Sequence, residues 1–221
     1  MKLSKRLEAI ASFVSSDGAI IDVGCNHAHI PIYFASKEPE RTIIASDCKL
    51  ESLNNAFKDA KKYKVMEKIQ FIVTDGLNGI KIHPEDTIII AGLGTRTIKK
   101  ILTPEVLNQG NHFILQSNNY LYELRLYMMQ NQFLLKNESV VWEGNKVYVV
   151  MNWVKVNKPV SYSSFELQYG PCILHDKNRE YMMEQYNILV QQLNNVKGSN
   201  HPEVERMYLE EMEKIKKLEW F

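Results

Sequence analysis

Carboxylates and glycines stand at the ends of three short apolar runs in this sequence. The first run, residues 19–23, contains Asp22 and leads into Gly24, and the next two runs end at Asp47 and Asp75. A glycine at such a position lets a ligand approach the backbone, and a carboxylate accepts hydrogen bonds from hydroxyl or amino groups. In open α/β sheets such strand ends meet at one edge, where ligands bind. The three segments therefore predict a single ligand crevice.

The spacing after Gly24 narrows the kind of ligand. A dinucleotide pyrophosphate favours Gly-x-Gly-x-x-Gly, but the corresponding positions here are Asn26 and His29. S-adenosylmethionine has no phosphate group, so its binding is favoured instead. Asp22 is expected to orient the loop or bind the amino group of the methionine part, or else only to cap backbone amides. Asp47 stands about 20 residues after the glycine turn, where a carboxylate can accept from both ribose hydroxyls.

The third apolar run adds contacts to the adenine of such a cofactor. Asp75 can accept from the adenine amino group and Leu77 can cover the ring, although an Asp-Gly pair is by itself an ordinary turn. The complete predicted set of cofactor residues is Asp22, Gly24, His27, Asp47, Cys48, Asp75, Gly76, Leu77, Gly92 and Leu93.

The fourth apolar run leads into Gly92-Leu-Gly94, which bears on the methyl acceptor. Amino-directed adenine methyltransferases usually carry Asn/Asp-Pro-Pro-aromatic here, and its absence argues against methylation of an exocyclic amine. The glycines leave room for a base instead. Asn26 and Asn118 are the predicted catalytic residues, because their amides can position a base by hydrogen bonds. Asn118 could equally be structural, and direct proton transfer by His27 or His29 is an alternative.

The elements that must position these residues alternate between strand and helix. Apolar runs at residues 19–23, 42–45, 69–73, 87–91 and 113–115 predict strands, separated by segments of helical length. This alternation predicts a mostly parallel sheet. Two longer runs, 133–142 and 147–156, flank a Gly-Asn turn and predict an antiparallel hairpin. The layout is typical of a class I, Rossmann-like S-adenosylmethionine-dependent methyltransferase domain, which we place at residues 1–157.

Residues 158–221 are predicted to form a C-terminal α-helical, coiled-coil-like domain. A connector rich in Pro, Ser and Tyr is followed by two apolar stripes at helical spacing, over residues 181–193 and 204–218, with a turn between them. Two such helices should pair antiparallel. The pair is either a stabilising appendage or an arm that grips the substrate.

Composition limits the classes of function. The 221 residues include 27 Lys and Arg against 26 Asp and Glu, a net charge of +1, so the total demands no polyanionic partner. Three scattered cysteines fit reduced thiols in a cytoplasm, and the sequence shows no metal-ligand spacing. No apolar run approaches the roughly 18 residues of a membrane span. We therefore expect a cytoplasmic protein with no membrane segment, no metal and no obligate protein partner.

Local basic clusters are the candidate contacts to RNA. Phosphate neutralisation favours clustered lysines and arginines, although such a cluster is also common on an ordinary solvated face. The predicted RNA-binding residues are Arg6, Lys58, Lys61, Lys62, Arg96, Lys99 and Lys100.

Four segments resemble, in order, the signatures of the bacterial tRNA (adenine(22)-N1)-methyltransferase family. They are Leu3-Ser-Lys-Arg-Leu7, Asp22-Val-Gly-Cys-Asn-His-Ala-His-Ile-Pro31, Ala91-Gly-Leu-Gly94 and Leu115-Gln-Ser-Asn118. The resemblance implies a Rossmann-like domain with a helical tail, S-adenosylmethionine as donor, and tRNA methylated on N1 of adenine 22 in the D-arm region.

Four positions depart from the family pattern. The family usually has Asp at Asn26, an aromatic residue at His29, Gly at Thr95 and Pro at Ser117. Because an amide cannot act as a general base, Asn26 leaves open a catalytically impaired module that binds S-adenosylmethionine and RNA. The nearly neutral overall charge leaves open a second alternative, a small-molecule methyltransferase.

Overall fold

The computed structural model describes residues 1–197 and 202–221, and its centre is one seven-stranded sheet. The strands are β1 Ile20–Val23, β2 Ile43–Asp47, β3 Gln70–Val73, β4 Thr87–Leu93, β5 His112–Ser117, β6 Phe133–Glu143 and β7 Lys146–Lys155. The helices are α1 Lys5–Ser12, α2 His29–Lys37, α3 Leu50–Lys62, α4 Thr95–Ile101, α5 Pro104–Gln109, α6 Leu121–Gln130, α7 Ser164–Tyr169, α8 Pro171–His175, α9 Arg179–Val196 and α10 Pro202–Lys216.

The order of the strands confirms the predicted Rossmann-like methyltransferase fold. The sheet runs β3-β2-β1-β4-β5-β7-β6, in which the first five strands are parallel. Strand β7 pairs antiparallel with both β5 and β6, as the predicted hairpin requires. The chain moves outward from β1 to β3 and then returns to β4 beside β1. This topological switch point is where open α/β sheets bind ligands.

The centre of the sheet is buried on both faces. Ile20, Ile21 and the three isoleucines at 88–90 have no exposed surface, so the short apolar runs are explained by helices that cover both sides. The hairpin turn between β6 and β7 contains Gly144, whose φ of 57° is a left-handed conformation that glycine adopts without strain.

The first compact unit extends beyond the predicted domain boundary at residue 157. The chain forms two compact units, Met1–Cys172 and Ile173–Phe221. The wholly buried Arg125 explains the later boundary, since its guanidinium donates to the backbone oxygens of Leu167 and Gln168 at 2.9 and 3.1 Å. The same guanidinium pairs with the buried Glu138 at 2.8 Å. Through these contacts, Arg125 connects α7 to α6 and β6 of the first unit.

Helix α7 lies in the segment that the sequence predicted to be a connector. Ser163 and Glu166 form a capping box at its start, and this Ser-x-x-Glu spacing is a signal from which the helix could have been predicted. In the second unit, α9 and α10 pack against each other, and the rings of Tyr186 and Phe221 lie 5.5 Å apart. The predicted turn between the two helices falls on residues 198–201, outside the described residues. Within the described ranges, no helix has the length and apolar character needed to cross a membrane.

Candidate active site

A cavity of about 780 Å³ opens where the carboxyl ends of β1, β2 and β4 meet. Both predicted catalytic asparagines and nine of the ten predicted cofactor residues line it: Asn26, Asn118, Asp22, Gly24, His27, Asp47, Cys48, Asp75, Gly76, Gly92 and Leu93. The exception is Leu77, which is buried and does not line the cavity. Ile101 of α4 lies beside Gly76 instead, because α4 packs over this strand end. The fold thus brings the separate strand ends of the sequence together.

The loop after β1 has an unusual backbone. Gly24, Asn26 and Ala28 all have φ between 48° and 72°, in the left-handed region that is unfavourable for residues other than glycine. A Cβ on Gly24 would lie 3.6 Å from the nearest atom of Leu93, an ordinary contact. The backbone conformation, more than crowding by the protein, therefore requires glycine here. Strain of this kind is characteristic of ligand-binding loops.

Asp47 joins this loop to the end of β2. Its carboxylate accepts hydrogen bonds from the backbone N–H groups of Asn26 at 3.2 Å and Lys49 at 2.9 Å. The two bonds use different oxygens, so each oxygen keeps acceptor capacity for a further donor in the cavity. The side chain is buried, and its orientation is therefore set before a ligand arrives.

Asp22 lies deeper in the same wall. Burial, with the negative charge of Asp47 as a smaller cause, raises the pKa of its carboxyl group from 3.8 to about 7. Within the described part of the chain, no group donates a hydrogen bond to this carboxyl group. A bound cation would favour the ionised form and lower the pKa again.

The opposite wall, from β4 and β5, is built by amide groups. The buried Gln116 accepts through Oε1 from Nη1 of Arg6 at 2.7 Å and from the backbone N–H of Gly92 at 3.1 Å. Its Nε2 donates to Oδ1 of Asn118 at 3.1 Å, and Nδ2 of Asn118 donates to the Gly92 carbonyl at 2.8 Å. Because a guanidinium only donates, Arg6 sets the orientation of Gln116, which in turn sets that of Asn118. The exposed Asn118 keeps one N–H and one acceptor site for a ligand.

The structure places Arg6 on the cavity lining, where the sequence predicted an RNA contact. Its guanidinium lies 5.0 Å from the ring centroid of Tyr148, and its backbone N–H donates to Oε1 of Glu143 at 2.7 Å. That backbone hydrogen bond is the main reason why the pKa of Glu143 is lowered. Gln116 stands in the Leu115-Gln-Ser-Asn118 segment and Tyr148 within a predicted strand, but the sequence assigned neither a role, because both become site residues only through their contacts with Arg6.

Residues 3–151 match a family model described as a methyltransferase domain. The chain belongs to this family. The tRNA (adenine(22)-N(1))-methyltransferase of Bacillus subtilis (strain 168) is 27% identical over 188 residues, which are 82% of this chain and 79% of that protein. The resemblance predicted from the four sequence segments is confirmed.

Two solved structures extend the comparison over nearly the whole methyltransferase chain. TrmK of M. capricolum, in complex with S-adenosyl-homocysteine, is 26% identical with a TM-score of 0.77, covering 99% of this chain and 96% of that one. A candidate tRNA (m1A22) methyltransferase of Streptococcus pneumoniae, in complex with S-adenosyl-L-methionine, is 25% identical with a TM-score of 0.83, covering 98% and 99%.

Thr95 and Ser117, two of the positions expected to depart from the family pattern, contact each other in this methyltransferase domain. The hydroxyls of Thr95 and Ser117, both buried, are 2.9 Å apart, and the Thr95 hydroxyl also donates to the Asn119 carbonyl at 2.8 Å. The side chain of Asn119 accepts from the Thr95 N–H at 3.1 Å. The two residues therefore form one hydrogen-bonded unit between α4 and β5.

The six predicted RNA contacts other than Arg6 lie outside the cavity. Lys58, Lys61 and Lys62 are exposed on α3, and Arg96, Lys99 and Lys100 are exposed on α4. Arg96 is in the first turn of α4, directly after the Gly92-Leu-Gly94 segment. None of the six lines the cavity. A role for them in binding phosphates outside the crevice stays a prediction.

Proposed function

We propose that this chain transfers a methyl group from S-adenosylmethionine to N1 of adenine 22 in tRNA. The observation that carries the proposal is the single cavity in which Asp22 and Asp47 face the amide network of Gln116 and Asn118. The curated relative of Bacillus subtilis is named for this reaction, and the Streptococcus pneumoniae structure holds this donor.

The cavity's donor side fits S-adenosylmethionine. The buried Asp22 faces the cavity without a partner among the described residues, which suits the ammonium group of the methionine part. The free acceptor capacity of Asp47 suits the ribose hydroxyls, and Asp75 suits the adenine amino group. When bound, S-adenosylmethionine supplies an electrophilic methyl group on a sulfonium centre. The residues of this chain need only hold that group toward the second wall.

The second wall suits a planar base. N1 of adenine carries an in-plane lone pair, so it can attack without first losing a proton. Positioning of this kind can lower a barrier by about 7–11 kcal/mol in favourable cases. We assign it to Asn118 of this wall, together with Asn26 of the β1 loop at the edge of the acidic wall, since both are exposed residues that line the cavity. Because N1 is used in Watson–Crick pairing, the adenine must be unpaired or flipped out of its helix to reach them.

The body of the tRNA would lie outside the crevice. We propose that Lys58, Lys61 and Lys62 of α3, and Arg96, Lys99 and Lys100 of α4, neutralise its phosphates. We therefore also propose that the activity is cytoplasmic.

The direct test is methyl transfer from labelled donor to an unmodified tRNA transcript, with the product mapped by mass spectrometry. We expect one methyl group on adenine 22, and none on a matched transcript with guanine at that position. Asn26 is the observation that favours a second candidate, a module that binds donor and tRNA without catalysis. Donor binding and tRNA binding without transfer would support that candidate. Transfer to a small molecule but not to tRNA would favour a small-molecule methyltransferase.

A further inference from the structure

Two histidines and an aspartate meet beside the cavity. His27 and His29 flank the left-handed Ala28 where the β1 loop enters α2, and Asp59 comes from the third turn of α3. Nδ1 of His27 lies 2.8 Å from Oδ2 of Asp59, and the two imidazole rings are stacked with centroids 5.5 Å apart. One potential ligand atom from each of the three residues lies within 4.8 Å of the other two. The sequence did not show this cluster, since Asp59 is remote from the histidines along the chain.

The chemistry and exposure of the cluster suit a metal ion. Two imidazole nitrogens and a carboxylate oxygen are a common ligand set for zinc, with bonds of about 2.0–2.2 Å. At tetrahedral corners such ligands lie roughly 3.3 Å apart. The observed spacing therefore requires only small side-chain rotations. His29 is exposed, and His27 and Asp59 are partly exposed, so an ion and its remaining water ligands have access.

The position of His29 supports a ligand role. Among the described residues it makes no hydrogen bond, while its ring is held by stacking on His27. The aromatic residue expected at this position in the family pattern would offer no imidazole nitrogen. Two of the three ligands would then remain, which is fewer than zinc sites normally use.

We propose that His27, His29 and Asp59 bind one divalent transition-metal ion of the zinc class, with water completing the coordination. The ion would tie the strained β1 loop to α3. Since the loop also carries the Asn26 N–H that holds Asp47, the ion would restrain one wall of the crevice. The proposal does not depend on the identity of the methyl acceptor.

The test is calorimetric titration of the metal-free full-length protein with Zn²⁺, and with Co²⁺ as a visible-absorbance probe. We expect one equivalent to bind and to raise the melting temperature, because a ligand of the native state stabilises it. Loss of an outer partner of a metal ligand already costs roughly 10–100-fold in affinity, so His29→Ala and Asp59→Asn should each cost at least about tenfold. Circular dichroism without metal checks that both variants are folded.

His175→Ala is the matched control, because His175 and Asp176 form another exposed His–Asp pair, with Nδ1 and Oδ1 3.1 Å apart. This variant should bind Zn²⁺ as the wild type does. Cys48→Ser tests the thiol that lines the cavity, and it too should retain the site. Absence of binding, binding unchanged in both His29→Ala and Asp59→Asn, or binding lost only in Cys48→Ser would overturn the proposal.

Discussion

The two walls of the crevice are built from different chemistry. The wall from β1 and β2 holds carboxylates, of which Asp47 is fixed by the backbone N–H groups of two loops. The wall from β4 and β5 contributes no charged side chain of its own, and its amides are oriented by one another and by Arg6 of α1, which also lines the cavity. An acidic wall suits the ammonium and hydroxyl groups of a donor, whereas an amide wall suits a neutral, planar base. The difference indicates that donor binding and acceptor positioning can be disturbed separately.

The largest expected effect comes from the glycine turn of the acidic wall. Gly24→Val should abolish donor binding, because it strains a φ of 72° and places a side chain in the cavity. Gly79→Val is the matched control, since Gly79 has a φ of 74° and nothing lies within 4 Å of its Cβ position. Both variants should lose about 1–3 kcal/mol of stability from backbone strain. Calorimetry with S-adenosylmethionine should find binding only in the control. Equal binding in both variants would refute the placement of Gly24 in the donor site.

Asp47→Ala should weaken donor binding by about 1.5–3 kcal/mol, the range for hydrogen bonds to a charged group. Asp86→Ala is the control, because Asp86 is also buried and accepts from two backbone N–H groups, those of Ala19 and His83, at 2.8 and 2.7 Å. Asp86 does not line the cavity. Both variants should be less stable than the wild type, but only Asp47→Ala should change the donor affinity in a titration. A similar loss of affinity in both would mean that Asp47 acts through the fold alone.

A smaller effect follows from the pKa of Asp22, which burial raises to about 7. Below this value the free protein carries a neutral Asp22, and ionising it for an ammonium ligand costs free energy. Donor affinity should therefore rise roughly tenfold between about pH 5.5 and pH 7. Asp22→Asn should bind more weakly and lack most of this dependence. A pH profile that is unchanged in the variant would assign the titration to another group.

The same pKa predicts how stability depends on pH. Because the pKa of Asp22 in the folded protein lies above its value of 3.8 in the unfolded chain, its contribution to stability is fully present below 3.8. That contribution is lost as the pH rises through about 7. Chemical denaturation across this window should show a steeper decline for the wild type than for Asp22→Asn. Parallel curves of stability against pH for the wild type and Asp22→Asn would contradict a raised pKa of the Asp22 carboxyl group.

The smallest effect concerns residues outside both walls. Arg96→Ala should reduce the salt dependence of tRNA binding by about one phosphate contact and leave donor affinity unchanged. Lys81→Ala removes an exposed cation from a part of the chain with no predicted RNA contact, and it should leave the salt slope as in the wild type. Filter binding over a range of salt concentrations measures both slopes. Equal slopes in all three proteins would remove Arg96 from the interface.

The contrast between the walls also explains what could be predicted from sequence. The acidic wall was predictable because a carboxylate or glycine at a strand end is visible in the local pattern, as with Asp22 and Asp47. Leu77 is not among the lining residues, and the sequence does not show that α4 brings Ile101 beside Gly76 instead. The alternation of short apolar runs predicted the five parallel strands, and the two longer runs around the Gly-Asn turn predicted the antiparallel hairpin.

The amide wall and the histidine cluster could not be predicted in full. Gln116 is a buried polar residue within a strand, and its role depends on Arg6 reaching it from α1. The pairing of Thr95 with Ser117 likewise joins two elements that the sequence keeps apart. Asp59 lies near the histidines only because α3 packs beside the β1 loop. Long-range side-chain contacts of this kind leave no periodic trace in the sequence.

The central claim, that the two walls divide the work between donor and acceptor, is tested most directly by single-turnover methylation of tRNA with saturating donor. Asn118→Ala should bind S-adenosylmethionine as the wild type does but react more slowly, by about 1 kcal/mol or roughly fivefold for one lost hydrogen bond. Asp47→Ala should show the reverse, with weak donor binding and a rate near that of the wild type once donor is saturating. A wild-type rate in Asn118→Ala, or weakened donor binding in that variant, would contradict the division.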